Sequence, residues 1–185
     1  MNKLQINLLS AICLIGWAAA AQDTNSLKTE IGAAEAQTDV VIVKGFGQTG
    51  SIAAGADEVS VRCKETTDIG TGQKIYGLAI EIAGNPFPHD RILVDDDEID
   101  SLLGGINYLI KINYDVTSLP GFEASYATKA GLRVIAGSLR KDGGVQYSLQ
   151  YGDGPRIPLS AVQISQFYGL VEQARKNLDA LKSGK

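Results

Sequence analysis

RILVDDDEIDSLLGGINYLIK (91–111) and RIPLSAVQISQFYGLVEQARK (156–176) are the two stretches whose reading decides the fold. Slid by 65 positions, they superpose Arg91 on Arg156, Ile92 on Ile157, Ile99 on Ile164, Gly104 on Gly169 and Lys111 on Lys176. Each opens as a short strand and then changes period. Ile99, Leu102, Leu103, Ile106 and Ile110 recur at helical spacing, as residues on one face of a 3.6-residue turn must. Ile164, Phe167, Tyr168, Val171, Ala174, Leu178 and Leu181 do the same. Asp95 with Glu98, and Ser160 with Gln163, have the spacing of a capping box. A self-similarity of this kind outranks any local reading, and it predicts a duplication of residues 39–117 in 118–183.

Working outward, strand-type runs precede each helix. Val40–Val43, Val59–Cys63, Ile75–Ile82 and Arg91–Val94 come before the first; Phe122–Ala127, Leu132–Ala136 and Val145–Tyr151 come before the second. Breaks such as Asp68-Ile-Gly-Thr-Gly72 and Gly84-Asn-Pro86 separate them. Strands in hairpin series followed by a helix predict an α+β fold: a mainly antiparallel sheet with two helices on one face, built as a tandem ββββα repeat. The copies should share one continuous sheet about an approximate two-fold axis. Arg91 and Arg156 should occupy equivalent positions, and neither half should fold alone. In element order over residues 39–183 the layout resembles the tandem ββββα arrangement of whirly and PUR-type proteins. No signature residues of those families match, so the resemblance assigns no site; what it implies is single-stranded nucleic-acid binding.

The N-terminus reads as an export signal. Lys3 gives a positive start, Leu8–Ala21 is apolar but for Ser10, and four alanines close it, the layout that signal peptidase reads. Gln5 and Asn7 interrupt the stretch, which falls short of the ~20 apolar residues of a membrane span. Cleavage before Gln22 predicts an exported, periplasmic or extracellular chain with no membrane span. Residues 22–38 lack a firm apolar stripe and are expected as a flexible leader, and 39–185 as a single globular domain. Without the signal, 16 basic residues face 21 acidic ones, a balance that disfavours a general polyanion binder. The charge is uneven: residues 39–117 carry 6 basic and 13 acidic groups, residues 118–185 carry 9 and 5. Such a division can join two halves or orient a partner.

Several motifs invite chemistry. Gly45-Phe-Gly-Gln-Thr-Gly50 has the G-x-G-x-x-G spacing of a dinucleotide loop. That loop must open a helix within a βαβ unit, whereas here another strand follows by Glu58, so a glycine-rich hairpin loop is expected and no cofactor. The acidic run Asp95–Glu98 with Asp100 lacks the D-x-D-x-D-G pattern of a calcium loop and reads as charge placed at a helix start; no metal is assigned. Cys63 is the sole cysteine after the signal and falls on the apolar face of its strand, as a buried inert thiol does. His89, the single histidine, lies in a Pro-flanked turn. No nucleophile elbow or metal-ligating histidine pair appears, and no catalytic residue is assigned.

The candidate binding surface is aromatic and basic. Phe122 with Tyr126, and Tyr147 with Tyr151, are spaced by four on two strands. Beside Arg133, Arg140, Lys141 and Arg156 they form either a stacking platform for single-stranded nucleic acid or, in the plainer reading, the core of the sheet. Gly104 and Gly169 lie off the apolar stripes, where a helix glycine costs ~1 kcal/mol relative to alanine. The chain reads as an exported non-catalytic binding or structural module, of unknown ligand and with a protein partner or self-association ahead of nucleic acid. Two alternatives stand beside it: a single-stranded nucleic-acid binder, and a Cys63- or carboxylate-dependent secreted enzyme.

Overall fold

The chain runs ββββα twice. A computed structural model describes residues 28–84, 90–138 and 144–184; the N-terminal stretch read as an export signal, His89, Arg140 and Lys141 lie outside the described residues. Strands β1 (Ile42–Ala54), β2 (Asp57–Asp68), β3 (Lys74–Ala83) and β4 (Asp90–Asp95) lead into helix α2 (Ile99–Lys111). Strands β5 (Phe122–Ala127), β6 (Leu132–Ser138), β7 (Gln146–Tyr151) and β8 (Ile157–Leu159) lead into α3 (Ala161–Lys182). All pairings are antiparallel between sequence neighbours.

The expected continuous sheet is instead two four-stranded sheets, in the orders β1-β2-β3-β4 and β5-β6-β7-β8. The reason lies in the helices, which cross over. Helix α2 leaves the first sheet and lies on β5 and β6; α3 leaves the second and lies on β1 and β2. Close approaches fix both placements. A Cβ at Gly50 on β1 would stand 2.6 Å from a methyl of Leu170 on α3, and one at Gly105 on α2 would stand 2.5 Å from the Tyr126 ring on β5. Alanine at Gly105 would collide with the root of the Tyr126 side chain, whereas at Gly50 the Leu170 methyl would have to turn aside. The halves are thus joined through a shared helical layer, and each supplies the lid for the other's sheet.

One core cluster spans both halves. It holds the inward residues Val59, Val61, Leu78, Ile80 and Ile92 of the first sheet, Leu132, Val134, Leu149 and Ile157 of the second, and the stripes of both helices. Phe167, Val171, Leu178, Ile99, Leu102 and Ile106 are fully buried as the periodicity predicts, whereas Leu181 is exposed because α3 outruns the sheet there. At ~1.5–3 kcal/mol for each large apolar side chain removed from water, this layer dominates the favourable terms.

Three expectations are corrected, and one cap stands as its spacing predicts. Ser160 makes the capping box, accepting from the Gln163 N–H at 3.2 Å while the Gln163 side chain accepts from the Ser160 N–H at 2.7 Å. Asp95 makes none; a 3-10 turn at Asp96–Glu98 intervenes, and its carboxylate is engaged elsewhere. The Gly45–Gly50 motif is not a loop but the middle of β1, with a bulge between Gln48 and Gly50. Finally, residues 28–38 are not simply leader. Glu30–Glu35 form helix α1, capped by Thr29, whose Oγ1 accepts from the Gly32 N–H at 3.0 Å. The missing stripe has a plain cause, because a helix this short buries only one large side chain, Ile31.

The charge asymmetry joins the halves. Arg175 and Lys182 on α3 bind Asp96 at 2.9 and 2.8 Å, Arg175 also binds Asp100, and Lys129 binds Asp97 at 2.9 Å. Exposed pairs of this kind each contribute ~0–1 kcal/mol, so they orient the halves more than they stabilise them.

Candidate functional site

With their inner faces under α2 and α3, the two sheets turn their other faces outward, and these are the surfaces left for recognition. In a strand, alternate residues share a face, so the pairing registers list what each outward face presents. On the first sheet one row reads Phe46, Lys64, Gly77, Asp95. On the second, the row Glu123, Gly137, Gln146 leads to Ser160. Asp95 and Ser160 are partners in the 65-residue offset, so the rows correspond strand by strand.

Arg91 and Arg156 confirm the correspondence. The Arg91 guanidinium lies 5.8 Å from the centre of the Phe46 ring. The Arg156 guanidinium forms two hydrogen bonds to Glu123, at 2.9 and 3.2 Å. Both arginines reach diagonally from the fourth strand of their sheet to the equivalent position of the first.

The first outward face is occupied by α1. Asp95 accepts from the Glu30 and Ile31 N–H groups at 2.9 and 3.2 Å, satisfying donors that a helix start leaves open. Ile31 packs with Ala79 and Leu93 over Gly77, where a Cβ would stand 2.4 Å from the Ile31 Cδ1 and 2.2 Å from the Val94 carbonyl oxygen. A glycine in a strand interior marks such a close approach. At the far end Glu35 is paired with the fully buried Lys64 and with Lys44 at 2.9 Å. Burial pushes the Glu35 carboxyl up, but Lys64 and Lys44 together outweigh it and hold the group below the ordinary carboxylate value. Burial likewise lowers the Lys64 ammonium, more than Glu35 raises it.

Among the described residues, no helix lies on the second outward face. A cleft of about 980 Å3 lies there, lined among others by Glu123, Ile135, Gln146, Ser148, Arg156 and Pro158. Gln146, Ser148, Pro158 and Ser160 are the register equivalents of Gly77, Ala79, Leu93 and Asp95, so the cleft sits where α1 sits on the first sheet. Ile135, between Val134 and Ala136, lies outside the main core cluster but is itself buried, only 2% exposed, and lines the cleft from beneath. The cleft lacks the charges of the α1 seat: Gly137 stands for Lys64, and the Ser160 hydroxyl is committed to its own helix.

The sequence-predicted platform divides between two faces. Tyr147 and Tyr151 point inward with the core, and the Tyr147 hydroxyl donates to the Ile110 carbonyl at 3.3 Å. Arg133 and Arg156 point outward. The rings therefore brace the core, and both Arg156 and Tyr147 line the cleft. Cys63 faces α3, where its thiol donates to the Ala174 carbonyl at 3.3 Å; burial pushes the thiol up, which keeps it protonated and unreactive. The acidic run is taken up by α1, Lys129, Arg175 and Lys182. Glu98 accepts from the Lys129 N–H at 2.7 Å, and burial, with Asp95 and Asp97 adding to it, raises its carboxyl despite Lys129. Among the described residues no group of His, Cys, Asp or Glu is arranged to hold a metal ion, and no helix is long and apolar enough to cross a membrane. Gly104 and Gly169 both face open space, equivalent to the last.

Sequence reasoning missed Ile31, Lys64, Gly77, Glu123, Ile135 and Ser148. Two signals pointed to them: a glycine inside an apolar strand, and the arginine shared by both copies. The fold and these faces define a tandem ββββα module with crossed helices, one outward face filled and the other open. No family model, curated protein or solved structure matches this chain.

Proposed function

We propose that the chain is an exported, non-catalytic binding module that takes a polypeptide segment on the outward face of its second sheet. The observation that carries this reading is the correspondence of the two faces. The first already holds a polypeptide segment, α1, through backbone donors, one apolar anchor and an ion pair. The corresponding region of the second is a cleft with an apolar floor at Ile135 and polar groups at Gln146, Ser148, Glu123 and Arg156, the mix of apolar lining and few polar groups that binding sites favour. Export rests on the N-terminal pattern of Lys3 and Leu8–Ala21. The test is selection from a displayed random-peptide library on the immobilised protein, with Ser148→Trp, which fills the cleft from a solvent-facing position, as the counter-target. Peptides enriched on the parent and lost on S148W support the reading. Equal enrichment on both, or none on the parent, refutes it.

A second reading, single-stranded nucleic-acid binding, is favoured by one observation. Phe46 is 47% exposed and has the Lys64 ammonium 4.6 Å and the Arg91 guanidinium 5.8 Å from its ring centre, a pairing of ring and cation suited to stacking beside phosphate. A labelled oligonucleotide titrated at several salt concentrations decides it: binding that weakens with salt and is lost in Phe46→Ala supports this reading.

A further inference from the structure

We infer that the α1 seat is an exchange site between two copies of this chain, each laying its Thr29–Glu35 segment on the other's first sheet. The seat is self-contained. Asp95 holds the start of the segment, Gly77 admits Ile31, and Lys64 and Lys44 receive Glu35. Every one of those contacts forms equally well with a segment from another copy, and the charge complementarity is specific: two cations for Glu35, a carboxylate for the exposed N–H groups. Within one copy the segment is tied to β1 only through residues 36–41, and that tie is strained. Asp39 has φ of 62°, the left-handed region that L-residues other than glycine adopt at a cost. The sequence there reads as strand from Val40, yet β1 begins at Ile42, and Val40, Val41 and Val43 are 42%, 66% and 50% exposed. Opening residues 36–41 into an extended chain relieves Asp39, lets Val40 follow Val41, whose carbonyl already accepts from the Ile69 N–H at 3.0 Å, in the extended form its type prefers, and carries α1 away to a neighbour. Short hinges under strain invite such exchange. Each copy offers one segment and one seat, so a reciprocal pair closes with two-fold symmetry. The inference is independent of the open cleft and stands if that reading fails.

Two measurements test it on the full exported chain. Light scattering over a concentration series should find a monomer–dimer equilibrium, and Asp39→Gly, which removes the strain in the closed monomer, should weaken dimerisation on the order of tenfold or more. Mixing Glu35→Cys protein with Lys44→Cys protein under mild oxidation should give a disulfide-linked dimer that neither variant gives alone, because exchange brings position 35 of one copy to position 44 of the other. A monomer at every concentration overturns the inference. So does a dimer that ignores Asp39→Gly and yields no mixed crosslink.

Discussion

Arg156, just before β8, reaches over Ile135 to Glu123 on β5 and binds it through two nitrogens, as Arg91 reaches from β4 to Phe46 on β1. The same crossing recurs in both ββββα units with different partners, an aromatic ring in the first and a carboxylate in the second. Both members of the Arg156–Glu123 pair are about half exposed, so its worth is bounded by screening. A double-mutant cycle of Arg156→Ala and Glu123→Ala, read by chemical denaturation, should give a coupling of ~0.2–1 kcal/mol that falls with added salt. A coupling above ~2 kcal/mol would mean the pair is far less hydrated than its exposure implies.

Ile31 anchors α1 with its side chain fully buried. Truncation to alanine removes ~2–5 kcal/mol of packing, more than a six-residue helix can supply on its own. Ile31→Ala should therefore free α1 without unfolding the sheets. In hydrogen exchange, the Gly32–Glu35 amides should lose protection while those of β2 and β3 keep theirs. Loss of protection throughout the first sheet would show instead that α1 is integral to the core.

Acid should release the same segment. The Glu35 carboxyl is held below the ordinary carboxylate value by Lys64 and Lys44, although burial alone would raise it. A carboxylate with a lowered folded-state value contributes stability that is complete above the unfolded value and lost as pH falls through the folded one. The groups facing it are Lys44, Lys64 and Thr66. Docking of α1, followed by the Ile31 methyl resonances, should hold down to about pH 4.5 and weaken below it. Glu35→Gln should weaken docking at neutral pH and flatten the acid response. Release that begins between pH 6 and 7 would contradict this assignment.

Glu98 behaves in the opposite sense. Its carboxyl is raised by burial and by Asp95 and Asp97, and its Oε2 has no hydrogen-bond partner among the described residues. Ionisation of such a group costs stability at neutral pH, and the loss is recovered as pH falls through the raised value. Glu98→Gln keeps an acceptor for the Lys129 N–H and removes the charge. Thermal or urea unfolding at pH 7 should find the variant as stable as the parent, or more so by up to ~1 kcal/mol. A loss exceeding ~2 kcal/mol would show that the charge itself holds the Lys129 loop.

The α+β class, the strand order and the two helices were legible because each rests on a periodicity that survives tertiary context: two residues in a strand, 3.6 in a helix. The repeat was legible through Arg91 and Arg156. The crossing of the helices was not, since Ile99 and Ile164 announce a buried face without saying which sheet buries it. Asp95 misled for a related reason. Its spacing to Glu98 fits a local cap, but α1, 65 residues earlier in the chain, offered better donors. The open face was hidden because Ile135 stands in an unbroken apolar run, Val134–Ala136, where alternation cannot distinguish inward from outward. Tyr147 and Tyr151 shared a face as expected, and the choice of face fell to packing against α2.

The exchange of helices between the halves makes the two outward faces equivalent, and nuclear Overhauser contacts in the folded protein test it most directly. Leu170 methyl protons should show strong cross-peaks to the Gly50 α-protons of β1, and the Gly105 α-protons to the Tyr126 ring of β5, because those groups approach within van der Waals contact. Cross-peaks linking Leu170 only to β6 and β7, and α2 only to β2 and β3, would mean that each helix covers its own sheet, and the account of a filled and an open copy of one binding face would fall.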